Sequence, residues 1–115
     1  MLATKYRVPI QRIDYILKKG ESLNSKLFIV LSKDNREQFC RYRVIISRKI
    51  DLKAVKRNKL RRQVYEAIRT NSSIDNAAKN GRDIILIAKK QTINSAYKEL
   101  EKDLTNIINN FHGKI

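Results

Sequence analysis

Eleven lysines and arginines fall between Arg41 and Arg69, at positions 41, 43, 48, 49, 53, 56, 57, 59, 61, 62 and 69, against two acids, Asp51 and Glu66. The stretch holds a surplus of nine positive charges out of a net +15 for the 115-residue chain. At that density the available chemistry is polyanion binding: Arg offers a planar fork matched to phosphate oxygens, and Lys a compact point charge. At about 100° per residue, Leu60, Val64, Ala67 and Ile68 gather in one arc of a helix. Asn58, Arg62, Tyr65 and Arg69 project from the far side, with Lys59 and Arg61 flanking them. Arg57 falls at the boundary, where its stem can lie on the core while its head reaches a phosphate. Asn58 adds a neutral donor and acceptor for a ribose hydroxyl or a base edge. A merely solvated helix face mixes both signs, whereas acids are nearly absent here, so the segment reads as an RNA-binding helix.

The groups a protein nuclease needs are missing. His112 is the one histidine, and no cluster of carboxylates in the sequence could hold two metal ions. Cys40 is the one cysteine; it makes no disulfide framework and, with a single histidine, no structural zinc site. It is expected to be inert. Net charge +15 and a pI near 10.3 call for a polyanionic partner, because that much like charge repels itself in a compact state. A membrane surface is the rival to nucleic acid. No apolar run approaches the ~18 residues needed to span a bilayer, and no signal-peptide core is visible at the start, so the chain is expected to be soluble and cytoplasmic.

The rest of the chain must position the basic helix. Composition, with 42% hydrophobic and 32% charged residues, describes a folded module, and the length suits one RNA-binding domain over residues 1–115. Ile10, Ile13, Ile16 and Leu17 lie at helical spacing behind Pro9, with two lysines and Gly20 at the stop, which predicts a short helix over 9–19. Residues 26–32 predict a strand, residues 33–36 a turn, and 39–47 a second strand pairing back on the first, with a further hairpin or edge strand near 48–53. The basic helix is expected to end near 70–73. The apolar run 83–88 suits a fully buried strand. Tyr97, Leu100, Leu104, Ile107, Ile108 and Phe111 form the stripe of a last helix lying on the sheet.

With those elements in place, the chain resembles the protein component of bacterial ribonuclease P. That family's motif runs Lys-Ala, two spacers, Arg-Asn-Arg, a spacer, Lys-Arg and then Arg-Glu-Ala. Here it reads Lys53-Ala54, Arg57-Asn58-Lys59, Arg61-Arg62 and Tyr65-Glu66-Ala67. The flanking strand sequences 41–49 and 83–89 and the Lys18-Lys19-Gly20 ending of the first helix also fit, so the likeness extends from about Arg12 through the last helix. It implies an α+β sandwich, ribosomal-protein-S5-domain-2-like, with a sheet of about four strands and three helices. The implied order is α-β-β-(β)-α-β-α, with a left-handed strand-helix-strand crossover, an exception to the usual hand. The resemblance further implies an accessory subunit of a ribonucleoprotein endoribonuclease. Its RNA catalyses Mg²⁺-dependent removal of the 5′ leader from precursor tRNA and holds the metal. The implied partners are the catalytic RNA and precursor tRNA, with no obligate protein partner.

On that likeness Lys53, Lys56, Arg57, Asn58, Lys59, Arg61, Arg62 and Arg69, with Arg48 and Lys49 at the approach, contact the catalytic RNA. A cleft between the first helix and the sheet holds the leader, lined here by Ile13, Tyr15, Leu17, Phe28 and Leu31. The chain departs from the family at several places. Ile13 and Leu17 stand where Phe is usual, Leu31 where an aromatic is usual, Arg43 where Gly is usual, and Tyr65 where a basic residue is usual. The approach through Asp51-Leu52 is one residue longer. Base stacking contributes about 1–3 kcal/mol per base, so an aliphatic cleft predicts weak leader affinity. The alternative is a ribosomal or other RNA-binding module of similar fold with no part in tRNA processing. A DNA-binding helix-turn-helix is disfavoured, because strands flank the basic segment.

Overall fold

The computed structural model describes residues 6–37, 40–50, 53–70 and 81–112, with side chains through residue 107. Pro9 opens α1 (Ile10–Lys19) with φ −59°, a value its ring imposes and a helix start accepts. Lys18 and Lys19 occupy the last turn, where cations face the carbonyl end of the helix dipole. Gly20 ends it for a reason of space. A Cβ there would stand 2.5 Å from the Ile16 carbonyl oxygen and 3.0 Å from that of Ser32, while the Gly20 N–H closes on the Ile16 oxygen at 2.7 Å.

β1 (Glu21–Asn24) turns back antiparallel into β2 (Phe28–Asp34). The additional strand therefore precedes β2; of the 48–53 region expected to hold it, residues 48–50 form a turn and 51–52 lie outside the described residues. Asp103 fixes the β1–β2 turn, accepting from the Ser25 hydroxyl at 2.7 Å and the Leu27 N–H at 3.1 Å. After β2, Arg36 takes a left-handed φ of 64°, and the Asn35 side-chain oxygen accepts the Glu37 N–H.

The expectation that β3 (Arg41–Ile45) pairs back on β2 is not met. β4 (Arg82–Ala88) lies between them, antiparallel to β2 and parallel to β3, so the sheet order is β1-β2-β4-β3. Burial explains the order. Six of the seven β4 residues are buried, which only an interior strand covered on both faces allows. β3 alternates buried Tyr42 and Val44 with half-buried Arg41, Arg43 and Ile45, a pattern an edge strand tolerates.

α2 (Ala54–Thr70) is the crossover from β3 to its parallel neighbour β4, and it ends at Thr70 as the sequence suggests. A 3-10 turn (Lys90–Asn94) leads into α3 (Tyr97–His112). The two helices cover one face of the sheet. Leu60, Val64, Ile68, Leu100, Leu104 and Ile107 pack there on Phe28, Val30, Tyr42, Val44, Ile84 and Leu86. Each such fully buried side chain stabilises the fold by roughly 1.5–3 kcal/mol. The opposite face carries α1, with Val8, Ile16 and Ile85 buried and Ile13, Leu31, Ile45 and Ile87 packed around them. Ile108 and Phe111, expected on the α3 stripe, fall outside the described side chains. Among the described residues no helix is long and apolar enough to cross a membrane.

Candidate nucleic-acid interface

α2 turns its apolar arc inward as the periodicity requires: Leu60, Val64, Ala67 and Ile68 are buried. One residue assigned to the far side is corrected. Tyr65 is 3% exposed and belongs to the core, where its hydroxyl accepts the Val44 N–H at 3.2 Å. At about 140° from Leu60 it lies on the margin of the arc, and a long ring there reaches over β3. It caps an outward N–H of the edge strand, whose Tyr42 carbonyl, two residues earlier, accepts the Val8 N–H.

The solvent face that remains is cationic. Lys53, Lys56, Asn58, Lys59, Arg62 and Arg69 are exposed, Arg57 and Arg61 half-buried, and Arg48 and Lys49 exposed in the turn before the helix. Among the described residues no acid pairs with Lys59 or Arg62. Arg61 donates to the Asn58 side-chain oxygen at 2.8 Å, which fixes the guanidinium and orients the Asn58 amide. Arg69 is different. It grips Glu66, one Nε–H···O bond being 3.1 Å, and this contact holds the Glu66 carboxyl below its ordinary pKa. The helix thus offers two basic flanks, Arg57 and Arg61 on one and Lys56, Lys59 and Arg62 on the other.

Arg12 of α1 and Arg41 and Arg82 of the sheet are held by acids. Asp83, fully buried, accepts from Arg12 Nε at 2.6 Å, Arg41 Nε at 2.6 Å, Arg41 Nη2 at 2.9 Å and the Asn35 amide at 2.9 Å. A lone acid inside the apolar run of β4 was the available signal for this hub, because a buried carboxylate requires partners. Both its oxygens are taken, so it offers nothing to a metal ion. Across the sheet Arg82 donates to the Ser32 hydroxyl at 2.7 Å and Asp34 at 2.9 Å, and pairs with Glu21 at 3.3 Å. Cys40 is 1% exposed, and burial pushes its thiol pKa up, as it does the buried Tyr42 hydroxyl. Among the described residues no three His, Cys, Asp or Glu side chains are grouped to hold a metal.

α1 crosses the strands. It enters where Val8 N donates to Tyr42 O and leaves where Gly20 meets Ser32, and Tyr42, Ile84 and Ser32 share one register row. Arg12 sits on one side of that crossing. On the other side lie the rows Leu31–Ile85–Arg43 and Ile29–Ile87–Ile45. Ile29 is 39% exposed and Leu31, Ile45 and Ile87 are half-buried, which makes an aliphatic floor beside Ile13 and the exposed Leu17.

Two residues nominated for this cleft stand elsewhere. Phe28 is wholly buried in the core under α2 and α3, because strand alternation sends residue 28 one way and residues 29 and 31 the other. Tyr15, two positions from Leu17, points to the opposite flank of α1, where Arg12 lies 5.4 Å from its ring centre. The floor residues Ile29, Ile45 and Ile87 were missed; the alternation of β2 and β4 could have supplied them once the phase was known.

Comparison with known proteins agrees with this architecture. The family Ribonuclease P matches residues 9–112. The ribonuclease P protein component of Clostridioides difficile (strain 630) is 31% identical over 93 residues, covering 81% of this chain and 79% of the relative. That of Thermotoga sp. (strain RQ2) is 38% identical over 82 residues, 70% of this chain and 67% of the relative. Among solved structures, the RNase P protein from Thermotoga maritima superposes with a TM-score of 0.76 at 30% identity, covering 89% of this chain and 94% of that one. Family match, relatives and superposition agree, and the chain belongs to the bacterial ribonuclease P protein family.

Proposed function

We propose that this chain is a cytoplasmic accessory subunit which binds the catalytic RNA of ribonuclease P and assists Mg²⁺-dependent endonucleolytic removal of the 5′ leader from precursor tRNA. The observation that carries the RNA contact is the solvent face of α2, where Lys59 and Arg62 form no ion pair with an acid among the described residues and stand beside the fixed Arg61–Asn58 pair. Charge-assisted bonds of that kind contribute about 1.5–3 kcal/mol each where partly desolvated. The hydrolytic groups and the Mg²⁺ belong to the RNA in this reading. The chain's own residues bind and orient, neutralising phosphates so that the RNA holds its metal-bound form at lower Mg²⁺.

The leader would run over the aliphatic floor beside α1. With Phe28 beneath the sheet and Tyr15 on the other flank, no aromatic ring among the described residues faces the leader there, so contact rests on apolar packing against Ile13, Leu17, Ile29 and Leu31. The leader contribution should be small. A strong dependence of affinity on leader length, abolished by Leu17→Ala, would contradict it. Conversely, Ile13→Phe with Leu17→Phe should strengthen leader-dependent binding by roughly tenfold, as one stacked base allows.

The deciding experiment is cleavage of precursor tRNA by a bacterial ribonuclease P RNA at low Mg²⁺, with the protein, without it, and with an Arg57→Ala, Arg62→Ala variant. Stimulation that the double substitution removes is expected. Salt-sensitive RNA binding without stimulation, after a second RNA has been tried, would favour an RNA-binding module outside tRNA processing.

A further inference from the structure

The flank of α2 that faces the 3-10 turn and α3 is hollowed. One hollow of about 270 Å³ is walled by Lys56, Lys59, Leu60 and Gln63 of α2 and by Ile93, Asn94 and Ser95 across from them. A second, about 400 Å³, is walled by Lys59, Arg62, Gln63, Glu66 and Tyr97. Lys59 and Gln63 line both, so the two hollows adjoin as a groove along α2.

Three properties say what it holds. Its rim is cationic, with Lys56, Lys59 and Arg62 against one acid, and that acid, Glu66, is already gripped by Arg69. Its end is aromatic and fixed. Tyr97 packs partly against the core and also lines the second hollow, so an aromatic side chain is held at its wall without the freedom of a loose one. Its far wall is rigid: Thr92 donates to the Leu27 carbonyl at 2.6 Å, and Ser95 closes on Thr92 through both its N–H at 3.1 Å and its hydroxyl at 2.7 Å.

We propose that this groove binds an unpaired stretch of RNA, with one base stacked on Tyr97 and the adjoining phosphates on Lys59 and Arg62. The proposal rests on the reading of α2 as an RNA-binding helix and extends that interface from the helix onto α3. Only an unpaired base exposes a face for a side-chain ring, which makes single-stranded RNA the occupant and not a duplex. The larger hollow lies within the size range of ligand sites and admits a base. Gln63, at the middle of the groove, supplies an amide that can both donate to and accept from a base edge.

The test is titration of a bacterial ribonuclease P RNA at several salt concentrations with the wild-type protein, Tyr97→Leu, Tyr97→Phe and Gln63→Glu, each checked for folding by circular dichroism. Tyr97→Leu should bind about tenfold more weakly with an unchanged salt slope, and Tyr97→Phe within about twofold of wild type, because stacking needs the ring and not the hydroxyl. Gln63→Glu places a carboxylate on the shared wall without touching the core, and it should weaken binding even if Tyr97→Leu proves unfolded. An Arg57→Ala, Arg61→Ala protein, altered on the other flank only, separates the two readings. If it loses affinity while Tyr97→Leu and Gln63→Glu bind as wild type, the groove is not part of the interface. If none of the variants loses affinity, α2 itself is not the RNA surface and both readings fall.

Discussion

The arginines of α1 and the sheet and the cations of α2 are the same residue types in different circumstances. Arg12 and Arg41 converge on Asp83, and Arg82 on Ser32, Asp34 and Glu21. Lys59 and Arg62 form no ion pair with an acid among the described residues. A count of positive charge puts both groups in one total; a tally of partners separates them. The first group holds α1 and the strand ends together and faces inward, whereas the second has its charge directed to solvent and available to phosphate. Net charge therefore points to the class of partner, and the distribution of carboxylates points to the surface.

The largest test of that division is Asp83→Ala. Removing the carboxylate leaves two guanidinium groups facing a buried void, and breaking a buried pair typically costs about 3–5 kcal/mol. Urea unfolding should show a loss of that size. A loss within ±0.5 kcal/mol, the range of ordinary surface substitutions, would mean that Arg12 and Arg41 are not held by this hub.

The converse expectation concerns Lys59→Ala with Arg62→Ala. Stability should change little, while RNA affinity falls by roughly tenfold to a hundredfold and the salt slope by about 0.7–0.9 per lost phosphate contact. Arg82→Gln is the comparison: destabilised, with an unaltered slope. Equal slope changes in the two variants would erase the distinction between structural and binding arginines.

Tyr65→Phe sharpens the boundary between core and binding face on α2 itself. The Val44 N–H loses its acceptor, so stability should drop by about 1 kcal/mol while RNA affinity is retained. Were Tyr65 on the binding face, the opposite pattern would be observed.

Local signals in the sequence carried the helices. Pro9 and the close approach at Gly20 bound α1, and the apolar run 83–88 announced an interior strand. The basic motif located α2 and its exposed cations. Sheet order was not legible by the same means, because the parallel pairing of Arg41–Ile45 with β4 joins residues some forty positions apart, and nothing local to β3 distinguishes β2 from β4 as its partner. The misplacement of Phe28 has a simpler cause. In the run Leu27-Phe-Ile-Val-Leu31 every residue is apolar, so alternation leaves the phase undetermined, and only packing in the core beneath α2 and α3 decides that Phe28 goes in and Ile29 stays out. Tyr65 was misassigned because an arc drawn through aliphatic residues ignores how far a ring can reach.

The smallest expected effect lies at the Glu66–Arg69 pair, where a paired arginine stands on the same helix as Lys59 and Arg62. This exposed pair resembles the sheet contacts in form but sits on the binding helix, and the hydrogen bond from Arg69 holds the Glu66 carboxyl below its ordinary 4.5. A carboxyl with a lowered folded-state pKa adds stability that is present above about pH 4.5 and lost as pH falls through the folded value. Glu66→Gln should therefore flatten the acid limb of the stability curve only slightly, since solvent screens the pair. At neutral pH the same substitution removes a negative charge from the cationic face and releases Arg69, so RNA affinity should rise by roughly twofold and the salt slope should steepen. Weaker binding by Glu66→Gln would show instead that the carboxylate holds Arg69 in its binding position, and that a paired arginine can belong to the interface as fully as an unpaired one.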